Sequence, residues 1–409
     1  MSQRKNILVI TYWSYKDALI QTYTLPYLHL IHDQLPSESV IYLVTLDQEH
    51  QQVSAQEREK IRKKLWEKGI KWKPYRYRGF TLAAFFNMIF MGFDLLSLIV
   101  SKKIKCIHAW CMPGGVIGFM LSKLTGRPLV IDSYEPHAES MVETGTWKRD
   151  SLRFKVLFYF ENKITRHAST IISATEGMWN YAKEKYHHSI QSFYVKPACV
   201  DPEFFKSQYK KDKELLKQLN LEDKIICVYA GKFGGIYLTH EVFRFFKVAQ
   251  DFWGDRFRVL LLTNYPVDQL KKWAAENQFD WQNAVLKFIP HADIYRYMGL
   301  ADFGVTPVQP VPTKRYCSPI KDGEYWGLGL PVVITKNISD DSDIINKHSI
   351  GAVLNELNDA SYLNAIQKIN TLILPEQVED TTKKIQAVAH QYRDFEVARI
   401  VYSKVYGEK

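Results

Sequence analysis

The residues best placed to do chemistry lie in TKRYCSPIKDGEYWGLGLPVVIT, residues 313–335. Ser318 suits a helix N-cap and Pro319 the first helical position, which predicts a helix running from there toward Gly327. Its first turn would offer the free amides of Ile320 and Lys321. With the positive end of the helix dipole and the Lys321 side chain, they form an anion site suited to a diphosphate. Glu324 follows one turn later, and a carboxylate there can accept two hydrogen bonds from the vicinal hydroxyls of a ribose. Gly327 and Gly329 would end the helix and let it pack on the strand PVVIT. The alternative is an ordinary capped helix carrying a surface glutamate.

Other segments carry chemistry at lower density. In VYAGKFGGIYLTHE (228–241), Gly231, Gly234 and Gly235 allow close backbone approach where an apolar strand turns into a helix. In IDSYEPHAESM (131–141), His137 sits in a polar turn after a strand, with Glu135 and Glu139 beside it. His108, ending KCIHAW, is either a ligand-facing histidine or a buried one bonded to backbone. Gly114 and Gly115 open a helix at the carboxyl edge of the first sheet and serve ligand approach or packing equally well. Asp341, Ser342 and Asp343 form a D-x-D, which metal sites use. Its setting between PVVITKNIS and DIINKHSIG fits carboxylates capping a short helix.

The elements that must position these groups recur along the chain. Apolar runs appear at KNILVITY, SVIYLVTL, KCIHAW, PLVIDSY and STIISAT, then at DKIICVYAG, FRVLLLTN, AVLKFIP, ADFGVTP and LPVVIT, with helical segments between. Continuous apolar strands alternating with helices predict parallel sheets covered on both faces, here two successive doubly wound α/β units. VKPACVDPEFF (195–205), with two prolines and no periodicity, reads as the linker. The domains are accordingly 1–198 on the acceptor side and 199–380 on the donor side. Residues 381–409 read as a terminal helix that packs across the junction, with Tyr392, Phe395 and Tyr402 either as interface contacts or as a core stripe.

The 409-residue chain has 24% charged and 46% hydrophobic side chains, which excludes fibrous and disordered classes. Its formal charge is +10, and the excess lies in the first half: residues 1–200 hold 27 Lys and Arg against 17 Asp and Glu, whereas residues 201–409 hold 27 of each. A basic half predicts an anionic partner, whether phosphorylated acceptor, membrane surface or nucleic acid. The basic stretch 57–78, with Trp66, Trp72, Tyr75 and Tyr77 interleaved, reads either as a surface for anionic lipid or a phosphorylated acceptor, or as a solvated helix face beside a strand. No nucleic-acid fold motif accompanies it. Five scattered cysteines without CxxC spacing argue against disulfides and zinc, and toward a reducing compartment. The N-terminal apolar run is too short for a signal peptide. Residues 80–100 are mostly apolar, but Asn87 and Asp94 interrupt them, which favours a buried or interfacial helix over a span.

SPIKDGEYWGLGLPVV resembles the C-terminal signature of retaining, family-4-type glycosyltransferases of the GT-B fold, a glutamate followed by x-x-A-x-G-x-P-V-V. VYAGKFGGIYLTHE is similar to their donor-domain phosphate loop, and IPHADIYRYMGLADFGVTP (289–307) to their base-binding turn with the helix and strand that follow. HAWCMPGGVIGFMLSKLTGRPLVIDSYEP (108–136) and SATEGMWNYA with VKPACVDPEFF resemble parts of the acceptor domain and linker. The resemblance implies two Rossmann-like domains facing a central cleft, a nucleotide-sugar donor bound without metal or other cofactor, and transfer with retention to an acceptor in glycan or polysaccharide biosynthesis.

It further implies a donor site of Gly231, Gly234, Gly235, Ser318, Pro319, Ile320, Lys321 and Glu324, with Lys232 neutralising the leaving diphosphate and His137 near the transferred sugar. The acceptor is lipid-linked or phosphorylated on this reading, and the protein cytoplasmic, touching anionic membrane peripherally. Two positions depart from the pattern. Leu238 and Thr239 stand where a second lysine is usual, and Tyr316 stands where a glutamate contacts the donor sugar. Lys314, Arg315 and Lys321 are the neighbouring cations. A catalytically silent sugar-nucleotide-binding partner is the alternative those departures raise.

Overall fold

The computed structural model describes residues 4–77, 82–188, 190, 192–201, 203, 206 and 209–407, the side chains of 50 and 82–86 excepted. Arg78, Phe80 and Thr81 of the stretches read above, and Pro202, Phe204 and Phe205 of the linker, lie outside the described residues. The chain divides into two units. One is Met1–Val142, Trp147–Lys196 and Ala398–Lys409; the other is Glu143–Thr146 and Pro197–Val397.

The first unit contains seven strands, β1 (Ile7–Ile10), β2 (Ile41–Asp47), β3 (Ile70–Arg76), β4 (Cys106–Trp110), β5 (Leu129–Tyr134), β6 (Thr170–Ser173) and β7 (Phe193–Val195). Their order is β3-β2-β1-β4-β5-β6-β7 and all pairings are parallel. The second unit has β8 (Ile225–Ala230), β9 (Phe257–Leu262), β10 (Ala284–Lys287), β11 (Phe303–Thr306), β12 (Val332–Thr335) and β13 (Gly351–Leu354), in the parallel order β10-β9-β8-β11-β12-β13. Both orders reverse direction beside the first strand, at β1/β4 and at β8/β11. Doubly wound sheets bind ligands outside the carboxyl ends of the strands at such a point.

The central strands are apolar throughout because helices cover both faces. In β8, Ile226, Val228 and Ala230 pack toward Tyr325 and Trp326, while Ile225, Cys227 and Tyr229 pack toward Phe243 and Phe246. One strand thus feeds two apolar layers, and the loop at its carboxyl end has a rigid base.

The terminal region differs from the single helix predicted. Helix Val378–Arg393 ends where Asp394 turns extended (φ −69°, ψ 147°), and a second helix, Phe395–Tyr406, follows. The first packs on helix Ile320–Gly327. Of the second, Ala398 onward belongs with the first unit, where Tyr402 and Tyr406 are fully buried.

Helix Leu82–Ser101 accounts for the apolar stretch. Asp94 accepts from Lys73 Nζ at 2.8 Å and from the Tyr75 hydroxyl at 2.6 Å. No described helix is long and apolar enough to cross a membrane. In the basic stretch, Trp72 is buried and donates to Thr45 Oγ1 at 2.9 Å, Tyr75 holds Asp94, and Tyr77 bonds Tyr12 at 2.9 Å. Trp66 alone of its four aromatics is exposed. All five cysteines are free thiols.

Candidate functional site

Three segments of the second unit meet at the β8/β11 reversal. The loop after β8 contains Gly234 (φ 74°) and Gly235 (φ 63°), left-handed conformations that side chains disfavour. The segment after β11 runs beside this loop. Gln309 N donates to the Ile236 carbonyl at 2.9 Å, Gln309 Nε2 donates to the Gly235 carbonyl at 2.8 Å, and Leu238 N donates to the Pro307 carbonyl at 2.8 Å. The loop does not pass straight into a helix as predicted. Tyr237 bridges Val308 in antiparallel fashion, and helix His240–Trp253 begins only after this detour. Lys232 is exposed; its carbonyl accepts from the Tyr229 hydroxyl, and its ammonium has no hydrogen bond or ion pair to any described residue.

The third segment is helix Ile320–Gly327. Its N-cap is Pro319, one residue later than the sequence suggested, and no side chain caps it. Ser318 is unavailable as a cap because its hydroxyl accepts from Ala198 N at 3.0 Å and from the Arg393 guanidinium. The amides of Ile320 and Lys321 remain in the first turn, where their orientation is fixed from behind. Thr306, at the end of β11, bonds Asp322, and the Tyr325 hydroxyl accepts from Ala230 N, the last residue of β8, at 3.1 Å. The Tyr325 ring fits because Gly304 has no side chain: a Cβ there would stand 2.7 Å from it.

Glu324 is 2% exposed, and both its oxygens are engaged. Oε2 lies 2.5 Å from Lys321 Nζ and Oε1 lies 3.1 Å from His291 Nε2. Burial alone would raise this carboxyl's pKa. The charge of Lys321 and the bonds from His291 and Lys321 outweigh it and hold the group below the ordinary glutamate value. Glu324 is therefore an ionised, buried acceptor.

Behind this surface lies a buried ionic group. Asp341 pairs with Arg393, and Asp322 is pushed well above the usual carboxylate range by burial and then by the charge of Asp341. The D-x-D carboxylates do not cap the helix Asp341–His348, whose N-cap is Asp340; Asp341 is held by Arg393 and exposed Asp343 by Arg315 at 2.5 Å. That pairing also occupies Arg315, while Lys314 is buried. Among the described residues no three His, Cys, Asp or Glu gather as a metal cluster.

The remaining candidates belong to the first unit. His137 begins helix His137–Glu143, with Nδ1 3.4 Å from Glu135 Oε1 and its ring against Trp147. Glu139 is committed to the Tyr181 hydroxyl at 2.5 Å. Glu161 is fully buried, accepting from Ala138 N at 2.8 Å and the Tyr186 hydroxyl at 3.0 Å, and burial pushes its pKa up to about 7. His108 is buried and bonds the Tyr406 hydroxyl at 2.6 Å, a side chain rather than the backbone partner expected. Burial lowers its pKa to about 4. At Gly114 a Cβ would stand 3.1 Å from the Ile10 carbonyl, so this glycine serves close helix packing.

Sequence reasoning did not single out His291, Asp322, Tyr325 or Arg393. A signal existed only for His291, which opens the quoted turn after β10; the others act from behind the surface.

No protein-family model matches the chain, and no curated protein matches it. Among solved structures it is similar to a glycosyltransferase from Rickettsia africae ESF-5, with TM-score 0.71, 10% identity and 100% of each chain covered. HepE of Anabaena, solved with UDP and glucose, matches with TM-score 0.70 and 14% identity over 98% of this chain and 99% of that one. WaaG, a glycosyltransferase involved in lipopolysaccharide biosynthesis, matches with TM-score 0.70 and 12% identity over 98% of this chain and 100% of that one. The fold is thus the GT-B fold of glycosyltransferases, a likeness of architecture at low identity.

Proposed function

We propose that the chain is a glycosyltransferase that moves a sugar, with retention, from a nucleotide-sugar donor to an acceptor, in glycan or polysaccharide biosynthesis. The carrying observation is the convergence at the β8/β11 reversal of a left-handed glycine loop, a helix N-terminus and the ionised carboxylate of Glu324. The HepE structures with UDP and UDP-glucose support this reading by their fold. On it, the Ile320 and Lys321 amides and Lys232 hold the diphosphate, with Gly231, Gly234 and Gly235 clearing its approach, and Glu324 holds the ribose. His137 lies near the transferred sugar, and the acceptor is lipid-linked or phosphorylated. No metal or other cofactor takes part. Since both Glu324 oxygens are engaged, ribose binding exchanges Lys321 off the carboxylate and frees its ammonium for the phosphates.

Calorimetry with uridine, guanosine and adenosine diphosphates tests the site. One should bind, and Glu324→Ala should weaken it about 10- to 100-fold, the equivalent of one charge-assisted bond of roughly 1.5–3 kcal/mol. Unchanged affinity in a folded variant overturns the assignment. A second reading, a silent nucleotide-sugar-binding partner, draws on Tyr316 and on Leu238, which is buried where a cation is usual. Nucleotide affinity without turnover across a donor panel would select it.

A further inference from the structure

Exposed apolar side chains are concentrated in one layer of the first unit. Among the described residues seventeen large apolar side chains are exposed, and ten of them lie on three helices, Leu82–Ser101, Cys111–Thr125 and Leu152–His167. The middle helix packs against both others. Phe119 on it meets the rings of Phe160 and His167, and Ser122 Oγ bonds His167 Nε2 at 2.8 Å. The three follow β3, β4 and β5, and right-handed crossovers place them on the same face of the sheet. Each has an inner side in the core, with Leu95, Ile99, Leu121 and Ile164 buried, and an outer side that exposes apolar groups. Phe90 is 70%, Phe93 69%, Leu124 71% and Leu152 76% exposed. Exposed apolar side chains gathered on adjacent helices mark an interaction site.

Charge decides the occupant. The spans 82–105, 106–128 and 148–167 contain eleven Lys and Arg against three acids, Asp94, Asp150 and Glu161. Asp94 is neutralised by Lys73 and Glu161 is buried, so Asp150 alone is left to offset the cations. A second copy would set the same cations against each other. An anionic bilayer surface offers apolar depth for the phenylalanines and phosphate charge for Lys102, Lys103, Lys123 and Lys155.

We propose that this three-helix face docks on anionic lipid membrane. The proposal goes beyond the glycosyl-transfer reading and stands without it, and it places the contact on these three helices and not on Arg62–Lys68 of the basic stretch, whose Lys73 and Tyr75 bond Asp94 at the edge of the face.

The test is flotation of the full-length protein with vesicles of phosphatidylcholine alone or with phosphatidylglycerol added. The wild type should float with the anionic vesicles and be released by raised salt. Phe90→Ser with Phe93→Ser should weaken binding at least roughly tenfold without lowering the melting temperature, since both side chains already face water. Neutralising Arg62, Lys63, Lys64 and Lys68 should leave most of the binding. The proposal is overturned if the wild type ignores anionic vesicles, if the double variant binds as well as wild type, or if the 62–68 variant alone loses binding. It is also overturned by a solution dimer that the double variant dissolves. Nucleotide binding is read separately, so loss of either reading leaves the other intact.

Discussion

The two units place different things at the same topological point. At β8/β11 the reversal is open: a glycine loop with the exposed Lys232, a bare helix N-terminus and the ionised Glu324. At β1/β4 the corresponding region is filled. Helix Cys111–Thr125 starts directly after β4, and a buried polar group lies within the unit. There Asp132 lies 3.3 Å from Lys196 Nζ and accepts from the Tyr402 hydroxyl at 2.7 Å, and Lys196 sits over the Tyr27 ring at 3.9 Å. Identical strand order therefore does not distribute chemistry equally; loop composition and the returning C-terminal helix do. In the second unit Lys232 is exposed beside the glycine loop, and Lys321 holds the buried Glu324 at the helix start. In the first the charges hold the chain's last helix.

The largest effect should come from breaking the filled side. Asp132→Ala strands the buried Lys196 ammonium and removes the partner of Tyr402, and losing one member of a buried pair costs about 3–5 kcal/mol. Thermal and urea melts should show a lower midpoint, with Ala398–Lys409 becoming susceptible to proteolysis. Lys232→Ala, on the open side, should leave the midpoint nearly unchanged. Equal losses for the two variants would erase the contrast.

A second effect concerns pH. The folded state refuses a proton at His108 until pH falls to about 4, whereas the unfolded chain takes it near the ordinary histidine value of 6.5. Stability is therefore lost as pH falls from 6.5 toward 4, by on the order of 3 kcal/mol. Glu161 acts in the opposite sense. Its folded pKa is raised to about 7 from 4.5, so its contribution is present below 4.5 and lost as pH rises through 7. The two slopes oppose each other between about 4.5 and 6.5. His108→Gln should uncover the carboxyl's slope, with denaturant stability declining from pH 5 to pH 7 more steeply than in wild type. An unaltered profile would mean that His108 titrates normally in the fold.

The sequence was most legible where burial was complete, although β10, an edge strand without a buried residue, was also readable from its apolar run. The ten strands read from apolar runs are all present, and the three it missed, β3, β7 and β13, are edge strands. β3 alternates lysine with tryptophan and includes Pro74, β7 has three half-buried residues, and in β13 two half-buried residues alternate with two buried ones. An edge strand has one neighbour and often one wet face, so it need not leave a continuous apolar run. Of the candidate site, the helix after β11 and the glycine loop were visible because a proline at a helix start and φ > 0 constrain residue type locally. His291 reaching Glu324 across 33 residues, and Arg393 taking Ser318 from its cap, depend on tertiary contacts that spacing does not encode.

The smallest effect tests the open side alone. Gly235 has φ 63°, yet a Cβ built on it would meet nothing within 4 Å. The cost of Gly235→Ala is then conformational, about 1–2 kcal/mol for a left-handed residue with a Cβ. Asparagine tolerates this region better than alanine because its side chain bonds locally, so Gly235→Asn should cost less despite its larger volume. If crowding set the limit, the order would reverse. Urea denaturation of the three proteins distinguishes the cases. A loss larger for Asn than for Ala would show that the loop is packed, and that the contrast with Gly114, where the Ile10 carbonyl stands in the way, is weaker than the geometry indicates.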